Sequence, residues 1–128
     1  MQFTTFLATI LSVAATANAG CYSGGESGQY GKGLIKDKII DTVCNQMKGA
    51  YLDGEDRHQC ATDEFKTKWN FYIKNKAGSR QSITYDFCKQ KLGNEAYACE
   101  HGGDSTIGDF QFVSDPNKGQ CVDRTAWD

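Results

Sequence analysis

Phe65-Lys66-Thr67-Lys68-Trp69-Asn70-Phe71-Tyr72-Ile73-Lys74 changes character at every step. Period two sends Phe65, Thr67, Trp69, Phe71 and Ile73 to one side of a strand, and Lys66, Lys68, Asn70, Tyr72 and Lys74 to the other. One side is built for a core and the other for water, the signature of an antiparallel sheet covered on a single face. Asn75-Lys76-Ala77-Gly78-Ser79 ends the strand with turn chemistry.

Upstream, the period lengthens to that of a helix. Ile35, Ile39, Val43 and Met47 recur every four residues, with Leu34 and Ile40 beside them and Lys36, Asp37, Asp41, Asn45 and Lys48 opposite. This predicts an amphipathic helix over 34–48 that carries Cys44 and stops at Gly49. Tyr51 to Arg57 reads as a polar turn around Asp53-Gly54. The six glycines between Gly20 and Gly33 favour a loop, and without a Gly-Lys-Ser/Thr ending it is no phosphate cradle.

Downstream, Ser82 to Lys91 predicts a second helix, capped by Ser82 and closed by Gly93. Tyr97-Ala98-Cys99 falls in a loop or short strand, Phe110 to Val113 in another short strand, and Cys121-Val122 in a last one. With no repeat, linker or low-complexity tract, the expected class is α+β: two helices packed on one face of a small antiparallel sheet.

The N-terminus reads as an export signal over 1–19. An apolar run from Phe6 to Ala15 precedes Ala17-Asn18-Ala19, a small-x-small cleavage signature, although no Lys or Arg lies ahead of it. That run is too short to span a bilayer. The mature domain is then 20–128, secreted and extracellular, with no transmembrane segment. All six cysteines, Cys21, Cys44, Cys60, Cys88, Cys99 and Cys121, follow the cleavage site. An even number in an exported chain predicts three disulfides. Spacing leaves their connectivity open among 15 pairings. Cys and His show no zinc spacing, so neither metal nor cofactor is expected. The net charge of −2 supplies no field toward DNA.

The run Leu34-Ile35-Lys36-Asp37-Lys38-Ile39-Ile40-Asp41-Thr42-Val43-Cys44-Asn45-Gln46 resembles the first helix of the fungal killer protein 4-like family. Similarity continues through Asp56-Arg57-His58-Gln59-Cys60, the step from Cys88 to Cys99, and Gly108-Asp109-Phe110-Gln111-Phe112-Val113. The resemblance implies a compact, disulfide-stapled α/β sandwich with bridges Cys21–Cys99, Cys44–Cys121 and Cys60–Cys88. The founding toxin of that family is tied to cation channels through a lysine just ahead of its third equivalent cysteine. Here His58, beside Arg57, holds that place, so the channel-directed activity lacks its lysine. Secreted effectors of plant-associated fungi are the closer analogue.

No catalytic motif stands out. His58 and His101, with Glu55 or Glu64 and Arg80, would be the acid, base and phosphate clamp of a small ribonuclease, but neither histidine sits in a recognisable motif. There is no Gly-x-Ser-x-Gly elbow, and the acidic loop residues Asp53, Glu55, Asp56, Asp63 and Glu64 read as solvated. The best surface feature is the stripe Lys66, Lys68, Tyr72 and Lys74, joined by Arg57 and His58. It suits an anionic polysaccharide, lipid head group, RNA or acidic protein, or simply keeps the sheet soluble. The expectation is a non-enzymatic effector or toxin-like protein, monomer or weak dimer, that binds a protein, glycan or channel on a host or competitor cell. A ribonuclease and a non-toxic cell-wall protein are the alternatives.

Overall fold

The computed structural model describes residues 20–122. The expected signal peptide, 1–19, lies outside the described residues. The elements run in order from a 3-10 segment (Gln29–Leu34) to α1 (Ile39–Met47), β1 (Gly49–Tyr51), β2 (Asp56–Thr62), β3 (Lys68–Asn75), β4 (Gln81–Ile83), α2 (Tyr85–Ala98), β5 (Gly103–Ile107) and β6 (Phe110–Asn117). Strands β2-β3-β6-β5 form a four-stranded sheet, antiparallel throughout, and β1 pairs with β4 in a small second ribbon. The α+β class and the helices on one face are as expected.

β3 is central, and its alternation is complete: Trp69, Phe71, Ile73 and Asn75 are buried, while Lys68, Asn70, Tyr72 and Lys74 are half-exposed. β6 repeats the pattern with Phe110, Phe112, Ser114 and Pro116 inward. Against this inner face lie Ile40, Val43 and Met47 of α1 and Leu92 and Ala96 of α2, in a single core. Buried polar groups have partners. The Asn75 amide donates to the carbonyls of Tyr51, Leu52 and Ser79 and accepts from the Ala77 N–H. Asp63 accepts from the backbone N–H groups of Phe65 and Thr67 and from the Trp69 indole.

Several boundaries differ from the sequence reading. The central strand starts at Lys68, because Lys66 adopts φ +66° in a turn and Phe65 is left exposed. The first helix is broken. Leu34 ends the 3-10 segment, Ile35 is exposed, and Lys38 at φ +51° forces a turn before α1 begins. Gly31, at φ +69°, lies where a Cβ would come within 2.4 Å of the Tyr97 ring, so the opening needs glycine there. Tyr51 is wholly buried in a strand, and the Asp53-Gly54 turn ends by Asp56, where β2 starts. Ser82 pairs in β4. The N-cap of α2 is Thr84, whose hydroxyl accepts from the Phe87 N–H, and the helix runs through Gly93 because Leu92 before it and Glu95 and Ala96 beyond it are buried on the same side. Tyr97 and Ala98 therefore end a helix, and Cys121-Val122 forms no strand.

The disulfides correct the pairing carried over from the killer protein 4-like resemblance. Cys21–Cys99 is present, but the other two are Cys44–Cys88 and Cys60–Cys121, not Cys44–Cys121 and Cys60–Cys88. The reason is which side of the sheet each cysteine reaches. Cys44 and Cys88 lie on the two helices of the inner layer, with Cα atoms 5.7 Å apart. Cys60 stands opposite Asn70, on the outer face of β2. The chain leaving β6 crosses to that face, where the Cys121 N–H donates to the Thr62 hydroxyl. One bridge therefore staples helix to helix and another staples tail to strand. The closed loops span 44 to 78 residues, worth roughly 4–4.5 kcal/mol each on a chain-entropy account.

Candidate functional site

Both helices pack on the inner face, so the outer face is the large ordered surface that the sheet presents. Register fixes what stands on it. His58 of β2 lies opposite Tyr72 of β3, Tyr72 opposite Val113 of β6, and Val113 opposite Asp104 of β5. Flanking rows hold Asn70 beside Asp115, Lys68 beside Asn117, and Lys74 beside Gln111. The face thus has an apolar centre, Tyr72 and Val113, with amides and carboxylates on both sides.

These polar groups are oriented by one another. The Gln111 amide donates to both Asp104 oxygens at 3.0 and 3.1 Å, and the Asn117 amide donates to Asn70 Oδ1 at 2.7 Å. The His58 ring meets Tyr72 edge-on at 4.6 Å and its Nε2 lies 3.8 Å from Asp56. Burial pushes the Asp115 carboxyl above the usual aspartate range, partly offset by a hydrogen bond from Asn117. Tyr22, adjoining the β5 edge through its N–H to the Gly102 carbonyl, has its phenol raised by burial and by Asp104, Asp115 and Glu95. Burial, followed by Asp56 and Asp104, does the same for Tyr72.

The predicted stripe is divided by this geometry. His58, Lys68, Tyr72 and Lys74 share the outer face. Arg57 does not, because one step of alternation turns it inward: its guanidinium lies 4.0 Å over the Tyr51 ring, bonds Glu55 at 3.0 Å and donates to the Ala50 carbonyl. Lys66, in the turn before β3, lines a separate groove of ≈ 700 Å³ along the β2 edge, with Thr42, Gln46, Gln59 and Gln120. Asn70, Asp104, Gln111, Val113, Asp115 and Asn117 were not singled out by sequence. Asn70 already stood on the wet side of the β3 repeat, and for Gln111, Val113, Asp115 and Asn117 the alternation of Phe110 and Phe112 with Gln111 and Val113 was the signal. Pro116 hid its continuation, since proline argues against a central strand. Pro116 lies beyond the end of β5, where, among the described strands, β6 has only β3 beside it.

The two histidines are kept apart. His58 is on edge strand β2, and His101 precedes β5 at the other edge, three strand spacings or roughly 14 Å away. His101 Nδ1 is 3.4 Å from the Glu26 carbonyl and its Nε2 is 3.8 Å from Glu100. Among the described residues, no group of three or more His, Cys, Asp or Glu side chains could hold a metal ion, and no helix is long and apolar enough to cross a membrane.

A ringed apolar centre with fixed amides and carboxylates suits a ligand with C–H faces and a rim of hydroxyls, which is the chemistry of a sugar. The sequence matches the model of the glycan binding domain Y3 over residues 37–121, about two thirds of the chain. The chain belongs to the glycan binding domain Y3 family. The match runs from just ahead of α1 to the last cysteine, so it takes in the whole four-stranded sheet. The expectation of a small disulfide-bonded binding domain agrees with the Y3 family, whereas the killer protein 4-like assignment receives no support from it. No curated relative matches the chain.

Proposed function

We propose that this chain is an exported, non-catalytic glycan-binding domain that takes carbohydrate on the outer face of its sheet, from the surface of a host or competitor cell. The observation that carries the site is the Tyr72–Val113 centre set between the Asp104–Gln111 and Asn70–Asn117 pairs. A pyranose C–H face packs on the tyrosine, and its hydroxyls exchange hydrogen bonds with side chains already held in place, which lowers the ordering cost of binding. Lys68 and Lys74 share this face with Asp56, Asp104 and Asp115, so the ligand favoured is a neutral glycan rather than a polyanion. Three disulfides suit export into an oxidising medium. The wide separation of His58 and His101 gives no paired acid and base for ribonuclease chemistry.

The test is titration of immobilised neutral and acidic glycans with the secreted protein, alongside Tyr72→Ala and Lys68→Glu. Saturable binding of a neutral glycan that Tyr72→Ala weakens and Lys68→Glu leaves within two-fold or so supports the reading. Binding indifferent to Tyr72→Ala removes the outer face from it, and cleavage of RNA by the purified protein removes the non-catalytic assignment.

A further inference from the structure

Helix α2 buries a carboxylate that the proposed glycan site does not use. Glu95 is only 6 % exposed. Its Oε1 accepts from the Ser105 hydroxyl of β5. Its Oε2 lies 3.8 Å from the Cys99 sulfur, which is bonded to Cys21 and has no proton to donate. Among the described residues that oxygen therefore has no hydrogen-bond donor or countercharge, and a buried carboxylate left so is costly.

Backbone stands in front of that oxygen. A Cβ on Gly103 would come within 2.2 Å of Oε2, and one on Gly20 within 3.1 Å. Nitrogen and Cβ of one residue are about 2.5 Å apart by covalent geometry, so the Gly20 nitrogen is within about 5.6 Å of the carboxylate. Gly20 is also held in place. Its carbonyl accepts from the Asp104 N–H at 2.8 Å, and Cys21, next in the chain, bridges to Gly103 and is bonded to Cys99. This is the residue that the Ala17-Asn18-Ala19 signature marks as the first of the mature chain.

We propose that removal of the leader creates the missing partner: the α-ammonium of Gly20 pairs with Glu95, so maturation completes a buried ion pair. Hydrolysis of the Ala19–Gly20 peptide bond by a leader peptidase consumes one water, leaves a carboxylate on Ala19 and frees the Gly20 amine. With an ordinary pKa of about 7.7–8.0, that amine takes up a proton at neutral pH. In the precursor the same nitrogen is a neutral amide. Asp104 of β5 and Asp115 of β6 act with Glu95 on the neighbouring Tyr22 phenol, and both add to the negative field at this corner. The precursor is therefore the less stable form, and the choice of cleavage bond matters. One extra residue displaces the charge by about 3.5 Å.

The test uses the domain from Gly20 onward, which contains every described element. Three versions are compared: free Gly20 amine, N-acetylated Gly20, and one alanine added before Gly20, each with and without Glu95→Gln. The free amine form is expected to melt highest, with Tm lower by at least about 3 °C in the other two, and Glu95→Gln should erase the difference. The Gly20 amine should also titrate above its ordinary range, which decides the matter even where Glu95→Gln does not fold. Equal melting of the free and acetylated forms, a difference undiminished by Glu95→Gln, or an amine in its ordinary range would each overturn the ion pair. N-terminal sequencing of protein from culture medium that begins anywhere but Gly20 overturns the maturation step.

Discussion

The two faces of β3 are made from neighbouring residues and do opposite work. On the inner face Trp69, Phe71 and Ile73 are fully buried, Trp69 and Phe71 stack with centroids 5.9 Å apart, and the Trp69 indole is tied to Asp63. On the outer face Lys68, Asn70, Tyr72 and Lys74 stay half-exposed and take their order from side chains across the strands rather than from a core. Substitutions inside should therefore act on stability and reach binding only through unfolding. Substitutions outside should act on binding and leave stability nearly unchanged. This separation is open to direct attack.

The largest expected effect is Trp69→Ala, at about 3–5 kcal/mol of stability, with Asp63 losing its indole donor as well. Urea unfolding followed by circular dichroism measures it, and any protein that remains folded should still bind. A folded Trp69→Ala protein with no affinity would mean that the inner layer shapes the site directly. Next is removal of the Cys44–Cys88 staple by paired alanine substitutions, expected to cost about 2–4 kcal/mol with glycan affinity unaltered at low temperature. Breaking Cys60–Cys121 instead releases the tail from the outer face, so there affinity should change along with stability. Equal behaviour of the two staples would erase the distinction between the layers.

A subtler probe is alkaline pH. Burial raises the Tyr51 phenol to about 12, with the Arg57 guanidinium working in the opposite direction. Its hydroxyl donates to the Met47 carbonyl at 2.6 Å. A group whose folded pKa is raised stabilises fully below its unfolded value, near 10, and loses that contribution as pH rises toward 12. Unfolding free energy should fall across that window, and Tyr51→Phe should flatten the fall.

The smaller effects belong outside. Tyr72→Ala should weaken glycan binding by roughly five-fold, about 1 kcal/mol, while moving stability by no more than about 0.5 kcal/mol. Calorimetric titration and melting of the same sample give both numbers. Because burial raises the Asp115 carboxyl, its protonation should weaken binding at a higher pH than an ordinary aspartate would, and Asp115→Asn should shift that acid limb. A Tyr72→Ala protein that melts far lower would show that the outer face belongs to the core after all.

The period-two run around Trp69 was enough to specify a sheet with one wet face, and the four-residue repeat of Ile39, Val43 and Met47 was enough for the helix that covers it. Both are local patterns in which a residue's side follows from its place in the repeat. Element ends were less legible, because they turn on single backbone choices such as the positive φ of Lys38 and Lys66, which lysine does not announce. The stripe of candidate binding residues was legible along β3 alone. Asp104, Asp115, Asn117 and Val113 come from strands 30 to 45 positions away, and only register brings them beside Tyr72.

Taken alone, the amino-acid sequence determined a small α+β chain with three crosslinks and a sheet of two unlike faces, since periodicity and cysteine number are properties of the chain itself. The tertiary structure decided which cysteines meet, that Arg57 is spent on Tyr51, and which side chains surround Tyr72. Those outcomes depend on which face a residue turns to and on what the paired strand sets opposite it, and long-range register is written in no single segment.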